Sequence, residues 1–228
     1  MICNSETVHT ELTGVTSAGF AAIRQFARGS ASIDAANRLG DVDIVEGLDP
    51  VQTLIPRALD EAPPNTYSGN FGRDTFPLHT DLAHWARPPR YIALRCIHGV
   101  PNVATRILDG RAIVASIGAD TLRMALVQPR RPMRNGRQLL RLLERFEDSS
   151  CDLMRWDSLY LRPASSLAAA VFDEIQDLLS RWRPAEVTLS EPGDTLMIDN
   201  WRCLHGRSPA TENSGLRSID RVYLKEIR

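Results

Sequence analysis

The segment AEVTLSEPGDTLMIDNWRCLHGRS, residues 185–208, constrains the fold of this chain more than any other stretch. Apolar and polar residues alternate on both sides of Pro192-Gly193-Asp194, a turn-forming triplet, so the segment reads as strands folded about a tight reversal. RYIALRCIHGV, at 90–100, is a second β-type run. VATRILDGRAIVASIG, at 103–118, reads as a strand, a turn at Asp109-Gly110 and a helix. The clearest helix is SSLAAAVFDEIQDLLSRWRP. Ser165 or Ser166 caps it, Leu167, Val171, Phe172, Ile175, Leu178, Leu179 and Trp182 mark one apolar face, and Pro184 ends it. Short strands towards both ends with helices between favour an α+β chain built around a β-sandwich or jelly roll.

TSAGFAAIRQFARG, at 16–29, has helical apolar spacing and Gly29 as a stop, and AANRLGDVDIVEG, at 35–47, reads as a helix end at Gly40 entering a short strand. DEAPPNTYSGNFGRDTFP, at 60–77, is rich in loop-forming residues. The 128–147 segment, with Arg130, Arg131, Arg134, Arg137, Arg141 and Arg145, reads as a solvated loop and helix face, with a lid over an acidic substrate as the alternative.

At 228 residues the chain fits one domain, spanning 1–228. A formal net charge of −1 offers no electrostatic footprint for nucleic acid or an anionic membrane. No apolar run approaches a membrane span, and the N-terminus lacks the basic-then-apolar pattern of a secretory signal. Cys3, Cys96, Cys151 and Cys203 are widely spaced with no C-x-x-C pair, which points to free thiols and a reducing cytoplasm rather than a disulfide framework or zinc knuckle.

Chemistry concentrates in FPLHTDLAHWARPP, at 76–89. His79 and Asp81 are two apart, a spacing that sends both side chains to one face of a strand. His205, 126 residues beyond His79, supplies a third ligand-type residue if folding brings it near. Two histidines and one carboxylate with open positions form the facial triad of non-haem Fe(II) oxygenases. Arg217 and Arg221 follow at a spacing of four, again one face of a strand. Two other readings stay open on these residues: a zinc hydrolase using the same triad, and a catalytically silent β-helix module that binds a ligand or a partner chain.

At this point the chain resembles the taurine dioxygenase-like (TauD/TfdA) family of Fe(II)- and 2-oxoglutarate-dependent dioxygenases, which includes clavaminate synthase-like enzymes. The motifs that carry the resemblance are HTD at 79–81, PP before a strand at 88–97, ATRILDGRA at 104–112, MRWD at 154–157, PGDTLMIDNWRCLHGR at 192–207 and RSIDR at 217–221, with LGDVDIVEG near the N-terminus as an opening strand. The resemblance implies a double-stranded β-helix, a cupin-like jelly roll, with helices packed outside. It implies that His79, Asp81 and His205 hold Fe(II), and that Thr105 and Arg217 hold 2-oxoglutarate. With O2 as the other cosubstrate, the implied reaction hydroxylates or desaturates a small molecule, an amino acid or natural-product intermediate, and releases succinate and CO2. Halogenating relatives lack the carboxylate ligand, so Asp81 implies oxygenation or desaturation. An arginine grips a planar carboxylate with a fork that lysine cannot reproduce. In taurine-oxidising relatives the arginine matching Arg221 reaches the substrate's anionic group, and in others it supports the cosubstrate; its place on the same strand face as Arg217 allows either role. The loop TYSGNFGRD brings Tyr67, Ser68, Asn70 and Arg73 towards the iron's open side, so a small acidic substrate on Arg221, with help from Ser68 or Asn70, is expected. The chain is shorter than typical members, which implies trimmed substrate-covering loops.

Overall fold

Two antiparallel sheets face each other, and the alternation of their residues explains why. The computed structural model describes residues 5–131, 138–211 and 216–228. The larger sheet has six strands in the order Phe20–Ile23, Thr195–Asp199, Tyr91–His98, Ser218–Ile227 and Gly40–Val42, with Gln52–Leu54 also paired to Ser218–Ile227. The smaller has four, in the order Ala185–Thr188, Ala104–Asp109, Cys203–Arg207 and Phe76–His79. All pairings are antiparallel, in a mixed α/β architecture.

Tyr91–His98 is buried along most of its length because both its faces are covered. Ile92, Leu94 and Cys96 point into the space between the sheets, where they meet Ile107, Leu196, Ile198, Cys203 and Ile219. Tyr91 and Ala93 point outward onto Leu12, Val15, Ala35, Ala36 and Leu39 from the N-terminal helices. The smaller sheet is covered likewise: Leu204 packs against Val171, Phe172 and Ile175 of the helix Ser166–Arg181. Each such Leu or Ile side chain contributes about 1.5–3 kcal/mol through burial. The result is helix, sheet, sheet, helix, with the site-bearing residues facing the central layer.

Several expectations hold. The 166–181 helix is capped by Ser165, whose hydroxyl accepts from the Ala168 amide at 3.1 Å. Val171, Phe172 and Ile175 of the expected apolar face are buried, with Leu179 and Trp182 packed beside them; Leu167 is 38% exposed and does not belong to that face, its place being taken by Ala168. The turn at Gly193 has φ +92°, a conformation glycine adopts without strain. Asp194 then accepts from the amides of Gln25, Ser190 and Glu191, tying that turn to the chain after the first strand.

Two expectations are corrected. Within 16–29, Phe20–Ile23 is a strand, paired residue for residue with Thr195–Ile198. Phe20 and Ala22 pack towards the central layer and Ala21 and Ile23 towards the helices, so two-sided burial outweighs the helical spacing. In the arginine-rich segment, the expected helix face is instead two short strands, Leu140–Arg141 and Leu143–Arg145. Leu140, Leu142 and Leu143 are buried beneath them, while Arg145 grips Asp152 with bonds of 2.8 and 3.0 Å. Arg134 and Arg137 lie outside the described residues. The 60–77 loop carries one turn of 3-10 helix, Leu59–Glu61, and a short helix, Tyr67–Phe71. Cys96, Cys151 and Cys203 are free, and among the described residues no helix is long and apolar enough to cross a membrane.

Candidate metal centre

His79 and His205 are direct register partners on adjacent strands of the smaller sheet. Their rings therefore lie side by side, with centroids 4.7 Å apart. Gly206 makes this approach possible, since a Cβ there would sit 2.5 Å from the Phe76 carbonyl oxygen. Asp81 reaches the pair by a route the spacing alone did not indicate. The strand ends at His79, and Asp81 stands in the turn that follows, where Leu82 has φ +54°. The Thr80 amide donates to the Trp156 carbonyl at 2.8 Å, and the Asp81 amide to the Asn200 side-chain oxygen at 2.7 Å. Asn200 in turn donates to the carbonyls of Asp81 and Pro89.

The outcome is one cluster of ligand atoms. Nε2 of His79 and Nε2 of His205 each lie 3.4 Å from Asp81 Oδ1, and all three residues are buried, with ligand atoms within 4.8 Å of one another. His79 Nδ1 donates to the Pro77 carbonyl at 2.9 Å, which leaves the Nε2 lone pair facing the cluster. Asp81 Oδ2, the outer oxygen, accepts from Arg221 Nη1 at 2.7 Å and from the Tyr223 hydroxyl at 2.9 Å. Arg221 also contacts the Gln52 side-chain oxygen. One carboxylate oxygen is thus fixed by outer partners while the other is presented to the histidines, the arrangement that orients a metal ligand.

Electrostatics agree. Burial alone raises the Asp81 carboxyl, but Arg221 and the two histidines hold it well below the usual carboxylate range. Burial lowers His205. It also works against protonated His79, yet Asp81 and Asp157 outweigh it and raise that imidazole. Two imidazole nitrogens and one anionic oxygen are a donor set that suits a divalent metal of the iron type.

Around this cluster stand Tyr67, from the loop expected on the iron's open side, and Asp157 and Asn200, whose roles sequence reasoning missed. Tyr67 stacks on His79 at 4.1 Å between centroids and 22° between planes, and its buried hydroxyl has no hydrogen-bond partner. It is delivered by the Tyr67–Phe71 helix, capped by Thr66, where Gly69 passes so near Pro63 that a Cβ would meet its carbonyl oxygen at 2.0 Å. Asp157, from the MRWD motif, is 1% exposed and accepts from the amides of Leu159 and Tyr160 at 2.8 and 2.9 Å. Burial raises its carboxyl. Asp199-Asn200 is ordinary turn composition in the sequence, and the full burial of Asn200 and its three clamping bonds are visible only once 81 and 200 are brought together.

The remaining expected residues fall in two places. Thr105 lies on Ala104–Asp109 and Arg217 just before Ser218–Ile227; both are buried. Burial lowers Arg217 to about 10, its Nε has no partner, and no carboxylate pairs with it among the described residues. Asn70 donates to the carbonyls of Pro64 and Thr66 and lines a cavity of about 340 Å³ together with Asn65, His84, Arg130, Arg131 and Tyr160. Ser68 lies on the same helix, two residues before Asn70, and its backbone carbonyl accepts from Gly72.

No family model and no curated protein matches this chain. Solved structures do. Asparagine oxygenase in complex with Fe(II), 2S,3S-3-hydroxyasparagine and succinate matches at 18% identity and TM-score 0.69, over 96% of this chain and 78% of that one. PvcB from Pseudomonas aeruginosa, an Fe, alpha-ketoglutarate dependent oxygenase from an isonitrile synthetic pathway, matches at 16% identity and TM-score 0.67, over 95% and 79%. The non-heme iron oxygenase OrfP in complex with Fe and alpha-ketoglutaric acid matches at 19% identity and TM-score 0.69, over 97% and 80%. The chain has the fold of these oxygenases.

Proposed function

We propose that this protein is an Fe(II)/2-oxoglutarate-dependent oxygenase that hydroxylates or desaturates a small molecule, an amino acid or a natural-product intermediate, with release of succinate and CO2. Its facing sheets are read as the halves of a double-stranded β-helix forming a single catalytic domain over 1–228 that works in a reducing cytoplasm. The observation that carries the reading is the buried His79, Asp81 and His205 cluster, whose ligand atoms converge while Asp81 is held ionised by Arg221. A zinc hydrolase would share the triad, but it gives no reason for a buried, unpaired Arg217.

In this reading His79, Asp81 and His205 hold the iron. Iron(II), when bound there, supplies oxygen activation coupled to decarboxylation of the 2-oxo acid. Arg217 and Thr105 bind the far carboxylate of 2-oxoglutarate, which offers Arg217 the anion it lacks. Arg221 and Tyr223 keep the outer oxygen of Asp81 occupied, so the inner one stays aimed at the metal. The substrate enters from the side of Tyr67 and the cavity at Asn70, its acidic group on Arg221 with help from Ser68 or Asn70. Trp156, Leu78 and Leu204 pack behind the ligand-bearing strands and exclude water there.

The test is succinate formation from 2-oxoglutarate under air, with Fe(II), across a panel of amino acids. Succinate released only with Fe(II) and raised by one substrate supports the reading. Hydrolysis supported by zinc without succinate refutes it.

A further inference from the structure

Arg207 stands two residues beyond His205 on the same strand and directly opposite Thr105 across the ladder. Opposed residues of neighbouring strands share a face, so His205, Arg207 and Thr105 all look into the central layer. Arg207 is 8% exposed and Arg217 5%. Neither forms an ion pair with a carboxylate among the described residues. Arg207 Nη1 and Arg217 Nε are both buried without a hydrogen-bond partner.

A buried guanidinium N–H without an acceptor is costly, because it has lost hydration and gained no partner in exchange. A chain keeps such an edge where an anion arrives to satisfy it. The other half of the Arg207 guanidinium is already committed. Its Nη2 donates to the carbonyls of Gly72 at 2.9 Å and Asp74 at 3.1 Å, and the group lies over the Phe76 ring at 4.1 Å. Gly72 caps the Tyr67–Phe71 helix that stacks Tyr67 on His79, and the Ala210 amide holds Arg73 from the other side at 2.8 Å. Arg207 therefore has one edge on this segment and one edge free.

We infer that Arg207 is a second cation for the far carboxylate of the 2-oxo acid, beside Arg217 and Thr105, and that it links occupancy of that site to the Tyr67–Asp74 segment. The inference rests on the oxygenase reading above. The Nη1 edge binds the carboxylate while Nη2 keeps the segment fastened, so cosubstrate and the aromatic ring over His79 are joined through one side chain.

The experiment uses the full chain loaded with Mn(II), and calorimetric titration with two probes. 2-Oxoglutarate has the far carboxylate; oxalate chelates a metal but lacks it. Loss of a hydrogen bond to a charged group predicts that Arg207→Gln weakens 2-oxoglutarate about 10- to 150-fold and changes oxalate less than about twofold. Arg207→Lys recovers part of the loss. Hydrogen exchange over 67–74 slows on adding 2-oxoglutarate to the unsubstituted protein and does not slow in Arg207→Gln. An equal loss for both probes makes Arg207 a purely structural tie and overturns the inference, as does unchanged 2-oxoglutarate affinity. If the unsubstituted protein binds oxalate but not 2-oxoglutarate, the oxygenase reading itself falls and takes this inference with it.

Discussion

Asn200→Ala is the substitution that tests most directly how the metal ligands are held. Asn200 is fully buried, and its amide makes three bonds: it accepts from the Asp81 amide at 2.7 Å and donates to the Asp81 carbonyl at 3.1 Å and the Pro89 carbonyl at 2.9 Å. Truncation leaves one buried N–H and two buried carbonyls without partners. Each unsatisfied group costs roughly 1–3 kcal/mol, and local relaxation recovers part, so a loss of about 3–5 kcal/mol is expected. Asn200→Asp should do no better: it keeps an acceptor for the Asp81 amide but turns a carboxylate oxygen towards two carbonyls. Because the clamp also fixes where Asp81 points, metal affinity should fall about 10- to 100-fold, the usual effect of losing an outer partner of a ligand. Urea unfolding of the metal-free protein gives the first quantity and Mn(II) titration the second. A loss below about 1 kcal/mol with unchanged Mn(II) affinity would refute the reasoning, since the turn at Asp81 would then hold itself.

His79→Ala, Asp81→Ala and His205→Ala should each abolish the visible charge-transfer band formed anaerobically with Fe(II) and 2-oxoglutarate; normal turnover in two of the three would mean the triad is misassigned. Arg217→Ala should retain iron but weaken 2-oxoglutarate by about 30- to several thousand-fold, the loss of ~2–5 kcal/mol expected on breaking a buried charge pair, with Arg217→Lys recovering part. Asp109, paired with Arg202 at 2.5 Å, is held below its ordinary value by that arginine and the Arg111 amide despite burial. Its contribution is therefore present above the unfolded carboxylate range near ~4 and lost as pH falls through the lower native value; in an acid titration followed by circular dichroism, Asp109→Asn should flatten that limb. In a substrate screen scored by succinate, free acids should couple better than their amides, and equal coupling by amides would end the acidic-substrate idea.

What could be read from the chain follows from the range of each interaction. HTD and the distant His205 are residue types whose chemistry is intrinsic, so the candidate ligands could be named before any geometry existed. The local turn at 192–194 and the cap at Ser165 depend on neighbours a few positions away and were equally readable. The strand at Phe20–Ile23 was not, because four apolar residues carry no period that separates strand from helix, and its partner lies at 195–198. Asn200 failed for a related reason. An Asp-Asn pair before a reversal is ordinary turn composition, and nothing local says that the Asn200 amide is buried against Asp81, 119 positions away. Arg207 is the same case, since an arginine after a ligand becomes meaningful only when it is found buried with a free edge, whereas Tyr67 was placed by its loop on the open side and only its stacking on His79 needed the fold. The ligands are thus encoded by type and their supports by tertiary placement, so a substitution at a support such as Asn200 should lower metal affinity and global stability together.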